Sequence, residues 1–170
     1  SLVEFPVENP ELRFKFRQNG NVKNYINSLN EYFYDRNNPY MRWFDSYENL
    51  INGLDASYRN KMTYRALHTD LGSVLATNPT WSELNKDIKR NLSDHGIQIW
   101  HDLMLCLDPD IIIVSVAKEW LTRIKFRRCS DDLIIEKFDK TKDNKPRKKP
   151  IEIIGSWIEL NNKKTLLVYA

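Results

Sequence analysis

Two short constellations in this 170-residue chain hold residue types able to do polar chemistry. The first is His68-Thr69-Asp70. Residues two apart in an extended chain face the same side, so His68 and Asp70 could bind one ligand jointly while Thr69 points away. The bland alternative is a loop histidine hydrogen-bonded to backbone. The second is Glu8-Asn9-Pro10-Glu11. An asparagine amide orients water but cannot take its proton, so a general base would have to come from Glu8 or Glu11. Asn9-Pro10 also reads as a plain turn.

Aromatic and basic residues form two further groups. Tyr40, Trp43, Phe44 and Tyr47 cluster just after Asn37-Asn38-Pro39. The helical spacing of Tyr40, Trp43 and Tyr47 points to core packing for most of them, with one aromatic exposed. Arg123, Lys125, Arg127 and Arg128, and then Lys145, Arg147, Lys148 and Lys149, could hold phosphates without reading sequence. Such runs are also ordinary solvated surface. Neither a metal-ligand cluster nor a phosphate-binding glycine loop is present, so no cofactor is expected, and zinc deaminases and nucleotide hydrolases are excluded. His95 and His101 sit in or beside helices and receive no role.

The elements that must position these groups are organised around Leu107–Trp120, LDPDIIIVSVAKEW. Ile111, Ile112, Ile113, Val114 and Val116 form a run broken only by Ser115, the pattern of an internal strand covered on both faces. Asp108-Pro109-Asp110 supplies a turn ahead of it. Ile97, Ile99, Trp100, Leu103, Met104 and Leu107 place a helix before that turn, and Lys118 to Phe126 place another after the strand. Upstream, Leu2–Val7 reads as a first strand, Val22–Tyr34 as a helix, and the segment after Pro39 as a short helix stopped near Gly53. The core of Thr63–Thr77 reads as a strand ending in the His68–Asp70 loop. Thr80 and Glu83 form a capping box for a helix through Ser93, which His95-Gly96 breaks. Glu136–Pro150 holds seven basic and three acidic residues and reads as an exposed, partly flexible connection. Ile151–Leu160 and Lys163–Tyr169, divided by Asn161-Asn162, make a hairpin. The expectation is one α/β domain over residues 1–170 with a central, mostly parallel sheet in a three-layer α/β/α sandwich.

A net charge of +3 permits a polyanionic partner without requiring one. Two scattered cysteines, Cys106 and Cys129, read as reduced thiols of an intracellular, cytoplasmic protein. No apolar stretch is long enough to span a bilayer and no signal peptide opens the chain, so no membrane role is expected.

Three segments together resemble the uracil-DNA glycosylase superfamily. Val7-Glu8-Asn9-Pro10 is similar to the G-x-N-P loop after that family's first strand, with Val7 in the glycine's place. Ala66–Leu71 with Ala76-Thr77-Asn78-Pro79-Thr80 is similar to its second strand and following loop. Leu107–Ser115 resembles the family's L-x-P-x-hydrophobic strand. The resemblance implies a DNA glycosylase acting in DNA repair, hydrolysing the N-glycosidic bond of a damaged or modified base of the uracil type. It implies a catalytic role for Asn9, which would position the attacking water, with Glu8, His68 and Asp70 beside it. Tyr40, Trp43, Phe44 and Asn78 would bind the extruded base, and DNA is the partner, held weakly by the basic stretches. The family's second catalytic motif follows the last strand, and this chain ends at Leu166–Ala170, where that loop would begin, so the domain is either truncated there or lacks that half of the site. Residues 1–170 are therefore expected to bind DNA without efficient excision. The rival readings are a catalytically silent member of the same fold that binds nucleic acid or a protein, and an unrelated α/β enzyme centred on His68 and Asp70.

Overall fold

The computed structural model describes residues 41–59, 62–72 and 81–170, together with the single positions 23, 26, 27 and 34. The expected first strand, the Val22–Tyr34 helix as a whole, and the Asn9 and Asn78 loops lie outside the described residues. The chain divides into two compact units, residues 1–70 with 75–89, and residues 71–74 with 90–170.

In the first unit, helix α1 (Met41–Asn52) buries Phe44, Glu48 and Ile51, a four-then-three spacing that lines one face. It stops at Gly53, as the sequence implies, and Gly53 N–H still reaches the Asn49 carbonyl at 3.3 Å. Two-residue strands β1 (Ala56–Ser57) and β2 (Tyr64–Arg65) pair in parallel. The strand expected within Thr63–Thr77 is thus only Tyr64–Arg65 among the described residues, and His68 lies in the irregular segment after it. A 3-10 turn at Trp81–Glu83 then leads to α2 (Lys86–Leu107). The working N-cap of α2 is Asn85, whose side-chain oxygen accepts from Asp87 N–H at 2.7 Å and Ile88 N–H at 3.3 Å.

The second unit is built on the rest of α2 and a five-stranded mixed sheet. The strands are β3 (Ile111–Val114), β4 (Arg127–Arg128), β5 (Leu133–Lys140), β6 (Pro146–Leu160) and β7 (Lys163–Tyr169), with a short helix α3 (Lys118–Leu121) between β3 and β4. The order is β3-β7-β6-β4, and β5 also pairs with β6. Ile97, Trp100 and Met104 of α2 pack with Ile112, Val114, Ile158, Leu160 and Leu167 of the sheet into one core. The α2–turn–β3–α3 order and the Asn161-Asn162 hairpin agree with the sequence. Asn161 and Asn162 both take positive φ, 46° and 64°, which makes a two-residue loop whose twist suits paired strands.

Four expectations need correction. α2 runs through His95-Gly96 without a break; a single interior glycine costs only about 1 kcal/mol, and Gly96 is buried on the packed face. Among the described residues the sheet is mixed rather than mostly parallel: β3–β7 is parallel, while β6 runs antiparallel to β4, β5 and β7. Tight turns at 141–145 and 161–162 leave no chain for a crossover, so their strands must run antiparallel. Third, β3 pairs only with β7 among the described residues, and its exposure alternates, with Ile112 and Val114 buried and Ile113 40% exposed. Last, Glu136–Pro150 is no loose connection but parts of β5 and β6, although it is as exposed as its charge implies.

Among the described residues no helix is long and apolar enough to cross a membrane.

Candidate functional site

The first unit brings together three of the residues singled out from the sequence. The His68 ring lies edge-on to Trp43 at 4.9 Å and to Phe44 at 5.4 Å. Successive positions on α1 point these two aromatics differently: Phe44 is 6% exposed and belongs to the core, whereas Trp43 is 42% exposed. Tyr47, one helical turn on, meets Trp43 at 4.6 Å. Of the described aromatics on α1, Trp43 is the most exposed, while Phe44 packs in the core. Asp70 Oδ1 stands 3.8 Å from His68 Nε2, beyond hydrogen-bond reach. Glu8, Asn9, Tyr40 and Asn78 lie outside the described residues, and so does the expected convergence of Asn9 with His68.

Beneath these rings is a buried acid that the residue-type reading passed over. The Ser57 hydroxyl donates to Glu48 Oε1 at 2.5 Å, and Tyr58 N–H donates to Oε2 at 3.3 Å. Burial, then the Glu48 carboxylate and Tyr47, push the Tyr58 phenol up to about 12. The readable signal was a glutamate on the apolar face of a helix, four residues after Phe44 and three before Ile51. Arg59 pairs with Asp45, and its backbone N–H donates to Ser57 Oγ at 2.9 Å, which ties the β1–β2 connection to α1.

The basic candidates of the second unit fall into two groups. Arg123 pairs with Asp94, Arg127 with Glu159 at 3.2 Å, and Arg128 with Asp132. Arg128 also donates to Ser156 Oγ at 3.0 Å, and Tyr169 donates to the same Asp132 at 2.7 Å. Burial and that bond to Asp132 hold the Tyr169 phenol above its ordinary value. Arg127 and Arg128 fasten β4 to β6 and β7, and Arg123 is held by α2. Lys125, Lys148 and Lys149 are exposed and enter no ion pair among the described residues.

An open depression of about 370 Å³ is lined in part by Asp94, Gln98, His101, Asp102 and Lys125. Its histidine is committed to structure: Nδ1 is 2.7 Å from the Ile97 carbonyl, and Nε2 accepts from Lys125 N–H at 3.0 Å. That pattern fixes the Nδ1–H tautomer. Cys106 and Cys129 are exposed free thiols. Among the described residues, no group of three or more His, Cys, Asp or Glu is placed to hold a metal ion. Comparison with protein-family models, with curated proteins and with solved structures finds no match to this chain.

Proposed function

We propose that this chain is a DNA-binding protein of the uracil-DNA-glycosylase type, a three-layer α/β/α domain that takes an extruded base against Trp43 beside His68 and Asp70. One observation carries the reading: Trp43, 42% exposed, stands with its ring 4.9 Å from that of His68. A flipped base needs an aromatic platform and a polar neighbour, and this pair supplies both. The parallel β3–β7 pairing, with α2 and α3 on either side of β3 in sequence, supports an α/β architecture. In the hydrolysis, the C1′–N bond breaks, water oxygen bonds to C1′, and the water proton leaves with the base. Asn9 would orient that water, and a His68 N–H would stabilise negative charge developing on the departing base.

A second reading, a silent binder of the same fold, is favoured by the 3.8 Å gap between His68 and Asp70. No hydrogen bond there fixes which ring nitrogen of His68 carries the proton that a departing base would need. Single strands with and without one deoxyuridine, followed by fluorescence quenching and by base release, test both readings. Stronger quenching by the deoxyuridine strand, lost in Trp43→Ala, is expected. Release of uracil that His68→Ala abolishes selects the enzyme; quenching without release selects the binder. Equal quenching by both strands overturns the base-recognition reading.

A further inference from the structure

The β5–β6 hairpin outruns the sheet. β7 pairs with β6 from Leu160 back to Ile154 and stops there, so residues 136–140 and 146–153 pair with one another alone. The result is a two-stranded arm with every β5 residue exposed and most of its β6 side exposed. Residues 136–150 hold seven Lys or Arg against three Asp or Glu, an excess of four positive charges. The whole chain nets +3, so everything outside the arm sums to −1. The positive charge of this protein is segregated onto one element.

The arm's geometry presents that charge. Between Phe138↔Ile151 and Lys140↔Pro146 the register shifts, so that Arg147, Lys148, Lys149 and Pro150 lie opposite the single residue Asp139. A bulge of this kind bends a strand and re-aims its side chains. Arg147 folds back, its Nε donating to the Lys140 carbonyl at 2.9 Å, while Lys148 and Lys149 stay exposed. Of the arm's lysines, Lys137 is neutralised by Glu152 at 2.9 Å, whereas Lys140, Lys142, Lys145, Lys148 and Lys149 form no ion pair among the described residues. The tip is well built: Thr141 N–H donates to the Lys145 carbonyl at 2.7 Å, and Asn144 takes φ 61° in the turn.

We infer that this arm is a nucleic-acid-binding ribbon that lies along duplex DNA and contacts its phosphates through Lys148, Lys149 and the tip lysines. A two-stranded ribbon fits the major groove, which is about 12 Å wide. Segregated, unpaired lysines match a regular array of phosphates, each contact releasing counterions. From Asp139 to Lys149 the arm has no apolar residue but Pro146, so it has nothing to insert into a bilayer. Lysine and proline on a free edge also discourage strand-to-strand aggregation, a role that needs no DNA.

The test is fluorescence anisotropy of the full chain with a short, unmodified DNA duplex over a series of salt concentrations. An unmodified duplex carries no base for the Trp43 site, so the result is independent of whether that site recognises one. The inference expects measurable low-salt affinity, with log K falling linearly against log salt. The double substitution Lys148→Glu with Lys149→Glu should weaken binding roughly tenfold to a hundredfold at about 0.1 M salt and lower the slope by about 2. Unchanged circular dichroism would show that the exposed variant still folds. Unchanged affinity and slope would overturn the inference. So would variants that aggregate while binding DNA normally, or an arm that prefers poly-glutamate or anionic lipid vesicles to DNA.

Discussion

The side-chain amide of Asn161 donates to the backbone carbonyl of Leu105 at 2.7 Å, so the tip of the β6–β7 hairpin closes the C-terminal end of α2. Lys163 reinforces the joint, its ammonium meeting the Asp108 carbonyl at 2.6 Å and Asp110 at 3.2 Å. Asn161 thus serves two purposes, a positive φ and a cap for an otherwise open helix carbonyl.

Separating those purposes gives a prediction. Asn161→Gly keeps the turn conformation and loses only the amide's hydrogen bonds to the Leu105 carbonyl and, at 3.3 Å, to Asp108, which should cost about 1 kcal/mol. Asn161→Ala also leaves in the left-handed region a residue that, unlike Gly or Asn, rarely adopts it, and should cost about 1–2 kcal/mol more. Urea denaturation of the two variants checks the order; equal losses would show that the turn does not depend on residue 161.

Stability should fall at high pH through Tyr58. Its phenol is held neutral to about 12 in the fold against 10.0 when free. A raised acid pKa means that the unfolded chain loses its proton first. The contribution is therefore complete below about pH 10 and disappears as pH climbs to about 12. The ring is only partly buried, so screening reduces the effect to about 1 kcal/mol. Denaturation midpoints across this range should drop less in Tyr58→Phe than in the natural chain.

The buried acid makes a sharper test. Ser57 is 1% exposed and its hydroxyl holds Glu48. Ser57→Ala should cost about 1–3 kcal/mol by leaving a buried carboxylate short of a donor. Adding Glu48→Leu should recover part of that loss, since replacing both partners by apolar groups is nearly neutral. A double variant as unstable as the sum of the single ones would mean that the two residues do not interact.

Leu167 sits in the strand between β3 and β6 and is 2% exposed, whereas Leu133 on the arm is 69% exposed. Leu167→Ala should cost about 2–5 kcal/mol by opening a cavity. Leu133→Ala should cost less than about 0.5 kcal/mol. Comparable losses in thermal or chemical unfolding would contradict the placement of the core.

What the sequence disclosed was local. The Asp108-Pro109-Asp110 turn, the helix spacing before it, the stop at Gly53 and the Asn161-Asn162 hairpin each follow from a few adjacent residues. Pairing direction does not. The run Ile111–Val114 reads the same whether its neighbour is parallel or antiparallel, and only the position of β7 settles it. Glu136–Pro150 misled because its charge outweighed the apolar residues flanking it. The ladder between β5 and β6 continues from Leu133–Ile135 and Ile151–Ile154 into it, and the turn at Asn144 closes the hairpin. At the site, His68 was marked by its type, but which aromatic would face outward depended on the turn of α1, and this made Phe44 core and left Trp43 exposed.

The parallel seam between β3 and β7 also sets an order of events in folding. Contacts across it, such as the Thr165 hydroxyl to the Pro109 carbonyl, join residues 56 apart in sequence. The β6–β7 and β5–β6 hairpins close locally, on the scale of about 1–10 μs. Chain entropy therefore delays the seam until both hairpins exist, because only then does one long loop closure bring in a whole row of contacts. Until that moment β7 presents an unsatisfied edge with Leu166 and Val168 along it, and a nascent chain is at its stickiest there.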